Sequence, residues 1–297
     1  MAKRTLHKRT TQFISVMLSV LLVVNTLGLS AFAAAGAADD STDNNADDST
    51  GSNNNDSTGN STGDKGSGDR AEMSAWASLQ AEIDAAEDGA VIPVTEYISA
   101  ESGDSALTIP RNKVITLELS GTLDRGLDEE TDDGSVIINK GDLTITGGGT
   151  ITGGNTSGDG GGIWSQGLLT LNDVKICNNH AHDRGGAVYS SYDHLELTDG
   201  EITGNSANYG GCFYVEIVPE AMTMQNGSIR GNNAKYGAGI YVSDGAGVKQ
   251  NGGEISENRA SNNGSGVYVQ YAAYEMTGAK SEKTQRAVTA AACTIWR

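Results

Sequence analysis

The stretch LTLNDVKICNNHAHDRGGAVY at residues 169–189 decides the fold, because variants of it recur along the chain. In each copy apolar and polar residues alternate over three short runs, and Gly, Asn or Asp separates the runs. This is the pattern of short β-strands and not of helices. Copies of about 26 residues begin at Leu143, Leu169, Leu195, Met222 and Val248, and a further copy opens at Tyr274. A fixed period of this length predicts an all-β fold, a right-handed parallel β-helix with its repeat domain over residues 73–280.

Alignment of the copies places like residues in columns that run along the predicted solenoid. Because stacked strands lie about 4.8 Å apart, each apolar column is expected to form a continuous internal ladder. Three such columns are Ile151, Ile176, Ile202, Ile229 and Ile255; Ile163, Val188, Phe213, Ile240 and Val267; and Leu143, Leu169, Leu195, Met222 and Val248.

A polar column has one asparagine in each copy. Its side-chain amides are expected to bond to the turns above and below, as in other asparagine ladders. Asp173, Asp199 and Asn226 lie at the Gly-rich corner and are interpreted as Asx turns. A weak calcium site on the stacked carboxylates is the alternative. The asparagine column is Asn179, Asn205, Asn232 and Asn258.

Composition and charge narrow the class of protein. With 40 glycines, 3 prolines and 5% aromatic residues, the 297-residue chain lacks the composition of an ordinary globular core. The formal charge is −18, and since residues 1–33 contain four basic and no acidic side chains, the remainder carries −22. Nucleic-acid binding needs basic patches, so no nucleic-acid partner is expected. Cys177 and Cys212 fall in different columns and Cys293 leaves an odd count, which predicts no disulfide framework.

Two segments at the N-terminus are expected to lie outside the repeat fold. Residues 1–33 combine a basic start, a short apolar run and the sequence Ala-Phe-Ala, as in a cleaved secretory signal. An uncleaved anchor is the alternative. The mature chain is therefore expected to be secreted or held at the cell surface, without a membrane span. Residues 34–72, rich in Asp, Asn, Ser, Thr and Gly, are interpreted as a disordered acidic linker.

A helix is predicted where the linker ends. Trp76, Leu79 and Ile83 recur at helical spacing after Ser74, a favourable N-cap residue, so we expect a helix over about residues 75–87. A solenoid exposes its core at its end turn, and this helix is expected to cover it. Irregular early turns are expected over residues 91–145, with the acidic residues 129–133 in an outward loop.

The repeats resemble those of a known group of proteins. Ile-x-x-Asn-x-Ala followed by Gly-Gly-Ala-Val-Tyr, residues 176–189, and its variants look like repeats of polymorphic outer membrane-type proteins and related bacterial surface β-helix proteins. Isoleucine stands here where those repeats often have phenylalanine. The resemblance covers residues 143–269 and implies a pectin lyase-like fold, surface exposure and adhesion.

An enzyme is the main alternative, because parallel β-helices include polysaccharide lyases and hydrolases. A hydrolase needs two carboxylates gathered on one face, and a lyase needs calcium-binding carboxylates beside a base. The outward columns instead scatter single charges such as Glu196 and Lys249. His180, His182 and Asp183 lie close enough in sequence for a metal, but the neighbouring copies supply no further ligand. No catalytic residue, metal or cofactor is predicted.

One aromatic residue per copy supplies the candidate binding site. Each follows an inward residue, so strand alternation directs it outward. Either the rings stack and stiffen the sheet, or they form an exposed platform for a glycan or a protein. The predicted function is adhesin-like binding of carbohydrate or of a host or neighbouring-cell surface protein; a polysaccharide lyase or hydrolase and a non-binding stalk are the alternatives. The aromatic column is Trp164, Tyr189, Tyr214, Tyr241 and Tyr268.

The C-terminal residues depart from the repeat. Residues 280–297 show no repeat feature in the frame as read. Reading codons from their third bases can return Ile, Glu, Asn, Ala, three glycines, Val and Tyr in the register of residues 255–268. We therefore predict that residues 281–297 are an irregular tail produced by a frameshift, that they add no complete turn, and that the last full turn lies near Val267.

Overall fold

The chain folds as a parallel β-solenoid of about seven turns, which confirms the predicted fold class. The computed structural model describes residues 73–277 and the strands at 288–291 and 294–296. Residues 1–72 lie outside that range, so the secretory signal and the acidic linker stay predictions. Within the described residues one α-helix, α1 (Ala75–Ala85), precedes the strands.

Four parallel sheets form the walls, and each repeat passes through them in the same order. Sheet 1 contains β1 (Ala90–Val94), β4 (Val114–Leu119), β7 (Asp142–Thr146), β11 (Leu169–Asn172), β15 (Leu195–Leu197), β19 (Met222–Met224), β23 (Gly247–Gln250), β27 (Ala273–Met276) and β29 (Thr294–Trp296). Sheet 2 contains β2 (Tyr97–Ser99), β5 (Thr122–Asp124), β8 (Thr150–Thr152), β12 (Val174–Cys177), β16 (Gly200–Thr203), β20 (Ser228–Arg230) and β24 (Glu254–Ser256).

The other two sheets complete each turn. Sheet 3 starts with the first regular copy of the repeat, at Leu143. It contains β9 (Asn155–Thr156), β13 (His180–Ala181), β17 (Ser206–Tyr209), β21 (Asn233–Tyr236) and β25 (Arg259–Asn263). Sheet 4 contains β3 (Leu107–Ile109), β6 (Ile137–Asn139), β10 (Ile163–Ser165), β14 (Val188–Ser191), β18 (Phe213–Glu216), β22 (Ile240–Ser243), β26 (Val267–Gln270) and β28 (Val288–Ala291).

The apolar columns form the interior in the predicted register. Ile176 pairs with Ile202, and Val188 pairs with Phe213 on the next turn. Every member of the three columns is buried to within 1% of full burial. Burying an aliphatic side chain of this size contributes about 1.5–3 kcal/mol, so the stacked columns are the main source of stability.

Helix α1 covers the first turn, as predicted. Ser74 Oγ accepts a hydrogen bond from the Ala77 N–H at 3.0 Å, which fixes the helix start. Trp76, Leu79 and Ile83 are buried against the solenoid core. The indole N–H of Trp76 donates to the Ser105 carbonyl at 2.8 Å, so the buried ring keeps a hydrogen-bond partner for its polar N–H.

The asparagine column is a buried ladder at the corner between sheets 2 and 3. The Asn205 side-chain oxygen accepts from the Asn179 backbone N–H and from its side-chain amide, both at 3.0 Å. Asn232 and Asn258 repeat these bonds on the following turns. Each amide also donates to a carbonyl of an earlier turn, as Asn205 does to Ile176 at 3.0 Å. The ladder predicted from the sequence is confirmed.

The C-terminal segment differs in part from the expected irregular tail. Strand β28 pairs in parallel with β26, and β29 pairs with β27, so two strands extend sheets 4 and 1 beyond Val267. Short apolar runs such as Thr294–Trp296 fit a strand position whatever reading frame encodes them. The frameshift itself stays a prediction. Cys177 and Cys212 are buried free thiols, and Cys293 lies outside the described residues.

Candidate functional site

The aromatic column lies on the outer face of sheet 4, in register from turn to turn, but it is not an exposed stripe. Its rings stack on one another, with centroid separations of 5.8 Å for Tyr189 and Tyr214 and 5.0 Å for Tyr214 and Tyr241. These three residues are only 5–7% exposed and form an apolar cluster separate from the interior core. Trp164 and Tyr268 extend the stack at its two ends. Because neighbours cover both faces of the central rings, only their edges are open to a ligand.

The hydroxyl groups of the three central tyrosines also form hydrogen bonds within the protein. Tyr189 donates to the Glu216 carboxylate, and Tyr241 donates to the side-chain oxygen of Gln270. Ser243 Oγ donates to the Tyr214 oxygen at 2.9 Å. In each case the partner lies on the next turn, two residues after the stacked ring of that turn. Burial raises the pKa of Tyr189, Tyr214 and Tyr241, and for Tyr189 the bond to Glu216 adds to the rise.

A second column, which the sequence analysis missed, flanks the first. It consists of the residue directly before the corner glycine of each turn: Arg184, Tyr209 and Tyr236 on successive turns. Tyr209 and Tyr236 stack nearly in parallel, at 5.6 Å and 7°. Tyr209 also meets Tyr241 edge to face, at 5.5 Å and 83°. The signal in the sequence was the position before the corner glycine. A side chain that points outward at this corner lies next to the aromatic column and contacts it.

Arg184 anchors the N-terminal end of this arrangement. Its Nε and Nη2 donate to Asp159 at 2.9 and 2.7 Å, and its Nη1 contacts both oxygens of Glu216 at 3.2 and 3.1 Å. The guanidinium lies 4.7 Å from the Tyr189 ring centroid and 5.3 Å from that of Tyr214. Burial opposes the charged form, but the carboxylates outweigh it and raise the pKa of Arg184. The cluster is a bidentate ion pair on an aromatic surface.

A groove of about 470 Å³ opens between the two columns. Tyr209, 38% exposed, supplies one wall; Tyr236 stacks on its ring, and Tyr241 meets it edge to face. The Asp183 carboxylate, the Tyr209 hydroxyl and the Gln270 amide nitrogen make no protein hydrogen bond within the same range. We call this site the Tyr209 groove; it is lined by Asp183, Arg184, Tyr209, Tyr214, Tyr241 and Gln270.

The histidine pair receives a partner that the sequence did not indicate. Glu130, from the acidic loop, contacts His180 Nε2 at 3.1 Å and His182 Nδ1 at 3.2 Å. Thr131 bridges in parallel to Thr156, so this loop lies against sheet 3. Among the described residues no group of three or more His, Cys, Asp or Glu has a geometry suited to a metal ion. The contacts hold the loop on the sheet.

The outward charges of sheets 1 and 2 form local pairs. Lys249 contacts Glu220 at 2.8 Å on an exposed surface, and Arg230 contacts Glu201. Exposed pairs of this kind contribute about 0–1 kcal/mol to stability.

No protein-family model, curated protein or solved structure matches the chain. In the part of the chain that the structure describes, none of the helical segments has the length and apolar character required to cross a membrane.

Proposed function

We propose that this protein is a secreted or cell-surface β-solenoid that binds glycans in the Tyr209 groove. The observation that carries the proposal is the exposed part of the Tyr209 ring beside three polar groups that make no hydrogen bond to the described residues. A sugar ring has an apolar face that packs on an aromatic ring and a rim of hydroxyls that need hydrogen bonds. The groove offers both in one place. The resemblance to polymorphic outer membrane-type repeats supports a surface location.

In this proposal the aromatic column plays a supporting part. The edges of Tyr214 and Tyr241 line the groove, while their stacked faces hold the sheet in register. Binding by Trp164, Tyr189 and Tyr268 stays a prediction. Tyr209, Tyr214, Tyr241 and Gln270 lie on strands, while Asp183 and Arg184 lie in the connection between β13 and β14, where the two carboxylates hold Arg184 in place.

The proposal is tested by glycan-array binding of the purified mature chain and of Tyr209→Ser. We expect retention of a glycan class by the parent and loss of at least about tenfold in affinity in the variant, which corresponds to about 1.4 kcal/mol. Tyr192→Ser is the matched control, because Tyr192 is 64% exposed and lies outside the groove. An equal loss in both variants, or none in Tyr209→Ser, contradicts the site assignment.

The alternative functions give different results in the same assay. A polysaccharide lyase or hydrolase would release shortened sugars from the bound polymer, so the supernatants are analysed for products. A stalk would bind none of the glycans while remaining folded by circular dichroism. Product release or an array without signal from folded protein therefore overturns the proposal.

A further inference from the structure

We infer that the Tyr209 groove selects uncharged saccharides over uronic or sulfated ones. This inference rests on the proposed function and concerns the same site. It follows from the charges at the groove and from the hydrogen bonds that are already made there.

Among the described residues Arg184 is the one cation that lines the groove, and carboxylates already occupy its three nitrogens. Each of the three nitrogens of Arg184 already contacts a carboxylate, two through Asp159 and one through Glu216. Its planar face lies over Tyr189 and Tyr214. A sugar carboxylate or sulfate would have to compete with both of these carboxylates for the guanidinium, and displacing either would leave Asp159 or Glu216 without its counter-ion.

The charge that remains is negative. Arg184 offsets one of its two carboxylate partners, so the cluster keeps one negative charge, and Asp183 adds another at the mouth of the groove. The whole chain carries −18, which gives an approaching polyanion no favourable long-range attraction. Lining charge and net charge both disfavour acidic saccharides.

The groups without partners match sugar hydroxyls instead. The Asp183 carboxylate accepts hydrogen bonds, the Gln270 amide nitrogen donates, and the Tyr209 hydroxyl does either. A hydroxyl both donates and accepts, and since Asp183 and Gln270 lie three turns apart, about 14 Å at the spacing of stacked strands, hydroxyls on successive units of a neutral oligosaccharide match these groups. Bonds to the ionised Asp183 are the strongest of these.

The test compares hexose oligomers with hexuronic acid oligomers of equal length, bound to the mature chain at about 0.05 and 0.5 M salt. We expect the neutral oligomers to bind at least about tenfold more tightly and with affinity that does not change with salt. Asp183→Asn should weaken neutral binding several-fold. Asp183→Lys should raise the affinity for the acidic oligomers at low salt, because it reverses the charge at the mouth.

The outcomes separate this inference from the proposed function. Equal or tighter binding of the acidic oligomers overturns the selectivity while glycan binding itself stands. Failure of both kinds to bind folded protein overturns both. Because Asp183 is exposed and its side chain makes no protein hydrogen bond in the described range, the two variants are expected to fold, and circular dichroism checks this.

Discussion

The asparagine column and the aromatic column both place one similar side chain on each turn, yet they leave different groups open. The amides of Asn205 and Asn232 are buried and saturated by neighbouring turns. The rings of Tyr214 and Tyr241 saturate one another through their faces but keep edges at a groove. The candidate binding groups then come from the less regular positions beside them, Asp183 and Tyr209. In this solenoid, identical residues join the turns and non-identical ones supply the candidate site.

The largest effect is expected from breaking the aromatic column. Replacing Tyr214 and Tyr241 together by Ser should lower the free energy of unfolding by about 3–5 kcal/mol, because stacked, buried rings are lost. Urea denaturation measures the change. The control is the double variant of Tyr192 and Tyr271 to Ser, which are 64% and 69% exposed and should have little effect. A loss equal to that of the control would show that the stack adds no stability.

Breaking the asparagine column should cost somewhat less. Asn232→Ala leaves the Asn205 backbone N–H and side-chain amide without their acceptor, so we expect a loss of about 1–3 kcal/mol by the same measurement. The exposed Asn262→Ala serves as the control. A neutral Asn232→Ala would mean that water replaces the ladder bonds without cost.

Alkaline pH should expose a further difference between the columns. In the folded state burial raises the pKa of Tyr189, Tyr214 and Tyr241 above the ordinary value of 10.0. The unfolded chain therefore loses these protons first, and stability that is complete below pH 10 decreases as pH rises above it, by up to about 1 kcal/mol per tyrosine and pH unit. Unfolding free energies measured from pH 8 to 11 test this. Tyr241→Phe should reduce the slope; an unchanged slope assigns the effect to other groups.

The smallest expected change concerns the corner between sheets 4 and 1. Ile217 there adopts φ +77° and is 44% exposed, a costly conformation for a β-branched residue. Ile217→Asn should raise the free energy of unfolding by up to about 1 kcal/mol, because asparagine tolerates this region better. Ile217→Ala removes the same exposed surface but keeps a Cβ in the left-handed region, so it should not reproduce the gain. Equal gains would assign the effect to exposure alone.

The fold could be predicted from the sequence because the same apolar positions recur in every copy of the repeat. Ile176, Ile202 and Ile229 mark one inward position three times over, which fixes strand, register and burial together. The helix that covers the first turn was predicted equally well, from Ser74 and the spacing of Trp76, Leu79 and Ile83.

The candidate site was harder to predict from the sequence, because it depends on contacts between side chains of different columns. Strand alternation correctly directed the aromatic column away from the interior, but alternation carries no information on what covers an outward ring. That cover comes from the next ring in the column and from Tyr209, whose distance depends on the corner made by the paired glycines. Glu130 reaches His180 from 50 residues away, a contact that no local pattern encodes.

The asparagine column also divides the molecule mechanically. It runs from Asn258 to Asn179, whose side-chain oxygen accepts from the Gly154 N–H at 3.0 Å, and it goes no further toward the N-terminus. Hydrogen bonds between turns run along the solenoid axis, so a pulling force along that axis loads successive interfaces in series. The interfaces with added amide bonds bear more force before they separate. A chain that is pulled by its ends should therefore open first in the turns before Gly154 and in those beyond Asn258, while the turns between them, which carry the Tyr209 groove, keep their shape.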